Sequence, residues 1–385
     1  MIARLAIPVV LVVLLTALYF DLTFWRRKRW WIRLSLWLFP LAVVGVTVDL
    51  ADFPYYFPDK IWKFHYYVDM LAVLVVPMAL LALCSLVGRL LKRPRAGRVM
   101  GWCLALLVAL SWVYGSTIGF GKLEVKRVEF SSPDLPRAFN GYKIVQFSDA
   151  HLGTFALGRQ ELLIRAIDSI NAQHADLVVF TGDMQNKVPS EVEEFVPVLS
   201  KIKAKDGIYS VLGNHDYPIY MNTDDDIEIK SSLGRAESAQ YKMGWNLLVN
   251  DCRRIRRDSA SIVIAGMEND GTPGSRFPQL GNINEALLGV DRSEFVVMLE
   301  HDPTSWRRKI LPHSHVQLTL SGHTHGGQLS LFGWSPASLK YKEYCGMYRA
   351  GNRALYVTKG LGALIPFRLG ASGEIVVITL KTSDL

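Results

Sequence analysis

Four segments of the chain, Ile2 to Phe24, Trp31 to Leu50, Tyr67 to Gly88 and Val99 to Ile118, are long, apolar and almost free of charge. Each approaches the roughly 20 residues that a helix needs to cross about 30 Å of hydrocarbon. A chain with four such runs cannot fold in water along its whole length, and within lipid each run must satisfy its own backbone as a helix. Trp25, Trp30, Trp31, Tyr66, Tyr67 and Trp112 stand near the ends of the runs, where amphipathic rings favour the interface. The first run is read as a span and not as a cleaved leader, because three more follow it and no small-residue cleavage site is evident. Ionisable residues in the runs are edge cases, Arg4, Asp21, Arg33, Asp49 and Asp69, which suits an anchor better than a channel or transport unit.

The loops set an orientation. Arg26, Arg27, Lys28, Arg29 and Arg33 follow the first run, and Arg89, Lys92, Arg93, Arg95 and Arg98 separate the third from the fourth. The intervening loop, with Asp52, Asp59, Lys60 and Lys63, has no such excess. The positive-inside rule puts the first and third loops in the cytoplasm, and everything after about residue 120 on the extracytoplasmic side of a bacterial inner or plasma membrane. The formal charge of +8 is then a matter of topology, and no nucleic-acid partner is expected. Cys84 and Cys103 fall in the runs, while Cys252 and Cys345 fall later and are free to pair in an oxidising space.

The texture changes near Leu123, dividing the chain into an anchor region, 1–120, and a second domain, 121–385. YKIVQFSD (142–149), DLVVFTGD (176–183), GIYSVLGN (207–214), SIVIAGM (261–267), EFVVMLEHD (294–302), VQLTLSG (316–322), ALYVTKG and EIVVITL read as buried strands. Residues 161–173 and 190–204 have helical spacing, the second opening on Pro189 and Ser190. Strands and helices alternating in that order predict parallel βαβ units.

In open α/β sheets, sites form at the carboxyl ends of strands, and here strand after strand ends in a metal-ligand type. Asp149 and His151 follow the first, Asp183 the second, Asn214, His215 and Asp216 the third, His301 a later one, and His323 and His325 the segment LSGHTHGGQ. Burying so many carboxylates and imidazoles without cations would cost several kcal/mol each. The mixed oxygen and nitrogen set suits two divalent ions among Mn²⁺, Fe and Zn²⁺. One takes Asp149, His151 and His325, the other Asn214, His301 and His323, with Asp183 bridging. The alternation His323-Thr324-His325 turns both imidazoles to one side if the chain is extended, each serving a different ion, while Gly322, Gly326 and Gly327 allow the turn. Two ions about 3.5 to 4 Å apart form a clamp for in-line displacement at phosphorus.

The order D-x-H, G-D, G-N-H-D, a lone H, then G-H-x-H resembles the calcineurin-like metallophosphoesterases across about residues 140 to 330. GHTHGGQ and LYVTKGLGALIPFRLGASGEIVVITL resemble the bacterial membrane-associated branch, itself similar to a UDP-diacylglucosamine pyrophosphatase. The resemblance implies an α/β fold, a four-layer β-sandwich flanked by helices, here preceded by the four-helix transmembrane region read from the apolar runs, with a dinuclear centre and hydrolysis of a phosphoester, lipid-linked in one reading, by a metal-activated hydroxide. It further implies that His215 acts at the leaving group or on the phosphoryl oxygens, oriented by Asp216. A narrow lipid pyrophosphatase and a metal-stabilised sensor or binding module stand as alternatives. Glu300 and Asp302 either orient His301 or face solvent; Asp224, Asp225 and Asp226 read as a solvated helix cap, or near a site mouth would disfavour polyanionic substrates, and Arg368 reads by default as a surface residue, with a contact to a phosphate or lipid headgroup as the alternative.

Overall fold

The computed structural model describes residues 2–52, 61–156, 158–221 and 225–383; Asp59, Lys60 and Asp224 lie outside them, as do the side chains of Arg4 and Asp52. The chain divides into two compact units, Met1–Thr117 and Ile118–Leu385.

In the first unit the apolar runs form the helices α1 (Ile2–Phe20), α2 (Trp30–Asp52), α3 (Ile61–Leu90) and α4 (Pro94–Gly119). Four helices here are long and apolar enough to cross a membrane. Close approach of α3 and α4 depends on small residues: a Cβ on Gly97 would lie 2.6 Å from Cα of Gly88, and one on Gly88 equally close to Gly97. Packing of this kind replaces the hydrophobic drive that lipid removes. Three of the charged edge residues, Asp21, Arg33 and Asp69, find partners within the unit. Arg33 donates two hydrogen bonds of 2.7 Å to the Asp21 carboxylate, and Trp112 Nε1 donates to Asp69 at 2.8 Å.

Two six-stranded sheets build the second unit. Its strands are β1 (Leu123–Ser132), β2 (Lys143–Phe147), β3 (Leu177–Thr181), β4 (Ile208–Val211), β5 (Asn246–Leu247), β6 (Asp251–Arg257), β7 (Ala260–Gly266), β8 (Phe295–Leu299), β9 (Leu318–Ser321), β10 (Gly346–Ala350), β11 (Arg353–Val357) and β12 (Gly373–Thr382). One sheet runs β1-β12-β2-β3-β4-β5 and the other β10-β11-β9-β8-β7-β6. Strands β2 to β5 are mutually parallel, as are β7, β8, β9 and β11. Period-two side-chain alternation explains the layering. Ile144, Leu177, Val179, Ile262, Ile264, Phe295 and Val297 share the core between the sheets. Their neighbours Val145, Val178 and Phe180 turn to the opposite face, onto helix α5 (Gln160–Asn171) through Leu163, Ile167 and Ile170. Val263, Ala265, Val296 and Met298 turn outward from the second sheet onto Trp306 and Ile310. Helix, sheet, sheet and helix are the four layers.

The eight apolar runs are the eight interior strands, while β1, β5, β6 and β10, which the sequence reading passes over, are the four sheet edges. Edge strands carry charge and are half-buried, as DCRRIRR in β6 is, so their apolar signal is weak. The helix expected over 190–204 is two short pieces, Ser190–Glu193 and Val196–Leu199. Pro197 has no N–H to give and its ring clashes one turn back, so the helix breaks before it. The polar insert holds a full helix, α6 (Asp226–Lys242), capped by Asp225, whose carboxylate accepts from the Ile227 N–H.

Arg368 is no surface residue: it is 1% exposed and donates five hydrogen bonds to the carbonyls of Lys359, Gly360, Gly362, Ala371 and Ser372, at 2.7 to 3.3 Å. Burial pushes its guanidinium down to about 10. It ties the loop after β11 to the start of β12. Arg368→Met leaves those acceptors bare and should cost about 3 kcal/mol or more, read as a lowered Tm in thermal unfolding; an unchanged Tm would exclude this bracing role.

Candidate metal centre

Consecutive parallel strands end side by side, and the loops leaving β2, β3, β4, β8 and β9 bring Asp149 and His151, Asp183, Asn214 to Asp216, His301, and His323 and His325 to one buried place. Three groups of carboxylates and imidazoles have donor atoms within 4.8 Å of one another: Asp149, His151 and His325; His151, Asp183 and His215; Asp183, His301 and His323. His325 Nε2 lies 3.4 Å from Asp149 Oδ1 and 3.2 Å from His151 Nε2. His323 Nδ1 lies 2.7 Å from Asn214 Oδ1 and 3.3 Å from His301 Nε2. Asp183 Oδ2 stands between the two sets, 3.2 Å from His301 Nε2 and 3.8 Å from His151 Nε2. The seven residues read from the sequence as ligands are thus brought together, with Asp183 between the cluster of Asp149, His151 and His325 and that of Asn214, His301 and His323.

The donor set fits cations. Burial holds His151 down to about 3, His323 down to about 4 and His325 well below its ordinary value. At neutral pH these imidazoles are uncharged and offer lone pairs. Burial also pushes Asp149 up to about 7. Burial opposes the Asp183 carboxylate too, yet His301 and His215 beside it hold it well below the usual range. Its counterpart His301, disfavoured as a cation by burial, is raised by Asp183 to about 10. A carboxylate so deeply buried requires positive charge next to it. The His301 Nδ1–H donates to the Thr181 carbonyl at 2.7 Å, which aims Nε2 at Asp183 and fixes the tautomer a metal ligand needs.

The local backbone differs from the extended segment expected at His323-Thr324-His325. Asp149, His151, Asp183, His323 and His325 all have positive φ, from +46° to +73°, and the two histidines diverge because each sits in a left-handed turn, not because an extended strand alternates. Gly326 and Gly327 are left-handed as well, at +57° and +74°. Non-glycine residues in that region cost about 1 to 3 kcal/mol each, and such strain collects at functional sites.

Asp216 does not orient His215. Its carboxylate accepts the backbone N–H groups of Asp183 and Gly213 at 2.9 Å and of Met184 at 2.8 Å, so it clamps the loop that carries Asp183. The imidazole is held by the Asn186 carbonyl, to which Nδ1–H donates at 2.6 Å, while the backbone N–H of His215 donates to Asp183 Oδ1 at 2.7 Å. Glu300 and Asp302 are buried, and Glu300 accepts the N–H groups of Asp270 and Asp302 at 3.1 and 3.0 Å; neither touches the ring of His301.

Two tyrosines went unread. Tyr220 stacks on His215 with centroids 4.0 Å apart and accepts from Asn214 Nδ2 at 2.7 Å. Tyr341 places its hydroxyl 2.9 Å from His323 Nε2. The aromatic pair in Tyr217-Pro218-Ile219-Tyr220, straight after GNHD, was the available signal for the first; nothing local marks the second. Cys252 and Cys345 are unpaired.

A family profile described as calcineurin-like phosphoesterase matches residues 142–327. A transmembrane protein with metallophosphoesterase domain from Danio rerio is 31% identical over 308 residues, covering 76% of this chain and 67% of its own length. The uncharacterized metallophosphoesterase YkuE of Bacillus subtilis strain 168 is 32% identical over 273 residues, with 68% and 87% covered. An uncharacterized metallophosphoesterase of Aquifex aeolicus strain VF5 is 28% identical over 262 residues, with 67% and 92% covered.

Proposed function

The chain belongs to the calcineurin-like metallophosphoesterase family, and from that premise we propose that it is a membrane-anchored, two-metal phosphoesterase acting on lipid-linked phosphates. Four apolar helices and the transmembrane relative support its integration into a membrane. The convergence of seven donor side chains on the ends of five strands carries the reading.

In it, Asp149, His151 and His325 would hold one cation and Asn214, His301 and His323 the second, with Asp183 shared. When bound, two divalent ions lower the pKa of a water and neutralise charge that develops on the phosphoryl group. The chain's own residues supply position and protons. Asp216 fixes the Asp183 loop, Thr181 fixes the His301 ring, and Asn186 fixes His215 with Nε2 as its free nitrogen. Water oxygen joins phosphorus, the bond from phosphorus to the leaving oxygen breaks, and protonated His215 gives its proton to that oxygen. Burial holds His215 below its ordinary value, so its protonated form is a stronger acid toward a departing alkoxide but a smaller fraction at neutral pH, and turnover of alkyl esters should fall as pH rises. The basic clusters in the loops support an extracytoplasmic location for this unit.

The test is turnover of bis(p-nitrophenyl) phosphate and p-nitrophenyl phosphate by the full chain in detergent, with Mn²⁺ or after chelation. Hydrolysis of the diester should appear with metal and vanish with chelator. If folded, metal-loaded protein cleaves neither ester, the general esterase reading fails.

A further inference from the structure

We infer that the hairpin at residues 331–334, with Leu339 and the lysines after it, is a surface that docks onto a lipid bilayer. Leu331 and Trp334 exchange both backbone hydrogen bonds, at 2.9 and 3.0 Å. The turn they close has Phe332 and Gly333 at its centre, with φ of +52° and +81°. Two-residue hairpin turns of this kind favour Asn, Asp or Gly at the first central position, and a bulky L-residue is disfavoured there. Phe332 occupies it all the same, with a relative exposure of 109%. Leu331, Trp334 and Leu339 are 47%, 51% and 80% exposed. Four large apolar side chains so close in sequence are more than the scattered exposure of an ordinary surface.

The bilayer interface is the occupant that the neighbouring chemistry selects. Aromatic rings favour the boundary between headgroups and acyl chains. Exposed Lys340 and Lys342 follow the apolar residues directly, and cations there are attracted to anionic headgroups. The acid beside them does not cancel this charge, because Glu343 is buried and bound to Arg307 at 2.5 Å. A bilayer is also within the chain's reach, since the last apolar helix ends at Gly119 and β1 begins at Leu123. The hairpin is tied to the metal-ligand loop as well. Ser335 Oγ donates to the Gly326 carbonyl at 2.8 Å, and Tyr341 meets His323. Docking would therefore present the centre to phosphates at the lipid surface, a consequence that rests on the phosphoesterase reading, whereas docking itself does not.

The experiment uses the full chain with p-benzoylphenylalanine at position 332 or 339, reconstituted into phosphatidylglycerol and phosphatidylethanolamine vesicles and irradiated. Both positions are exposed, so neither replacement disturbs the core. Mass spectrometry should find phospholipid adducts at both, at about ten times the yield of the same probe at Leu288, as a residue seated among acyl chains requires. Leu288 is 79% exposed and serves as the reference for chance encounters. Yields at 332 and 339 no higher than at 288 would overturn the proposal, and so would adducts to protein in place of lipid. Neither outcome would bear on turnover, so the esterase reading is tested separately.

Discussion

Replacing Asp183 with alanine should reduce phosphodiester turnover by about 10⁴-fold or more, the scale seen when one member of a catalytic unit is removed. The expectation comes from its place between the two ligand groups, with Oδ2 3.2 Å from His301 and 3.8 Å from His151 and with Oδ1 accepting the His215 N–H. Standing between the groups, it should on removal disable both cation sites and release the loop that carries His215. A second readout separates this from misfolding. At Mn²⁺ about 100 times its dissociation constant, the native protein should gain about 2.7 kcal/mol of stability, seen as a raised Tm, while the folded Asp183→Ala variant should gain little. A variant that keeps both its turnover and its metal-induced Tm shift would rule out Asp183 as a bridging ligand.

The second large effect concerns His215. His215→Ala should lower kcat by about 10² to 10⁴-fold, the usual worth of a positioned acid or base, with an alkyl phosphodiester as substrate. The loss should be much smaller with a p-nitrophenyl ester, whose phenolate departs without a proton. Because His215 stands outside the two groups of proposed ligands, the metal-induced Tm shift should survive. Equal losses for both leaving groups would move His215 from proton donor to a contact on the phosphoryl oxygens. An unchanged kcat for the alkyl ester would remove it from the chemistry altogether. Asn186 offers only its backbone carbonyl to the ring, so substitutions of its side chain test the loop and not the tautomer.

Much of the architecture was legible in the chain because burial on two faces leaves a local trace. A strand such as Leu177–Thr181, buried throughout, must be apolar at every position, and the polar residue that ends it stands out against that run. Gly-Asp after β3 and Gly-Asn-His-Asp after β4 were visible for this reason, as were the apolar runs that become α1 to α4. The helices of the first unit are encoded by length and composition alone, since lipid imposes no alternation.

Tertiary structure decided what depends on residues distant in sequence. Asp216 lies next to His215 in the chain, yet its carboxylate serves the backbone at 183 and 184, and the imidazole turns to a carbonyl 29 residues away. Arg368 looks like any surface cation until five carbonyls close around it. The edge strands carry too few apolar residues to announce themselves, and become strands only because β12, β4, β7 and β11 offer them hydrogen-bonding edges. The sequence by itself determined which apolar runs must be buried and which polar groups gather at strand ends, because hydrophobic burial and charge desolvation act on each side chain individually. Which hydrogen-bond partner each polar group takes, and which left-handed turn aims it, only the assembled sheets determined, because those contacts are pairwise and directional.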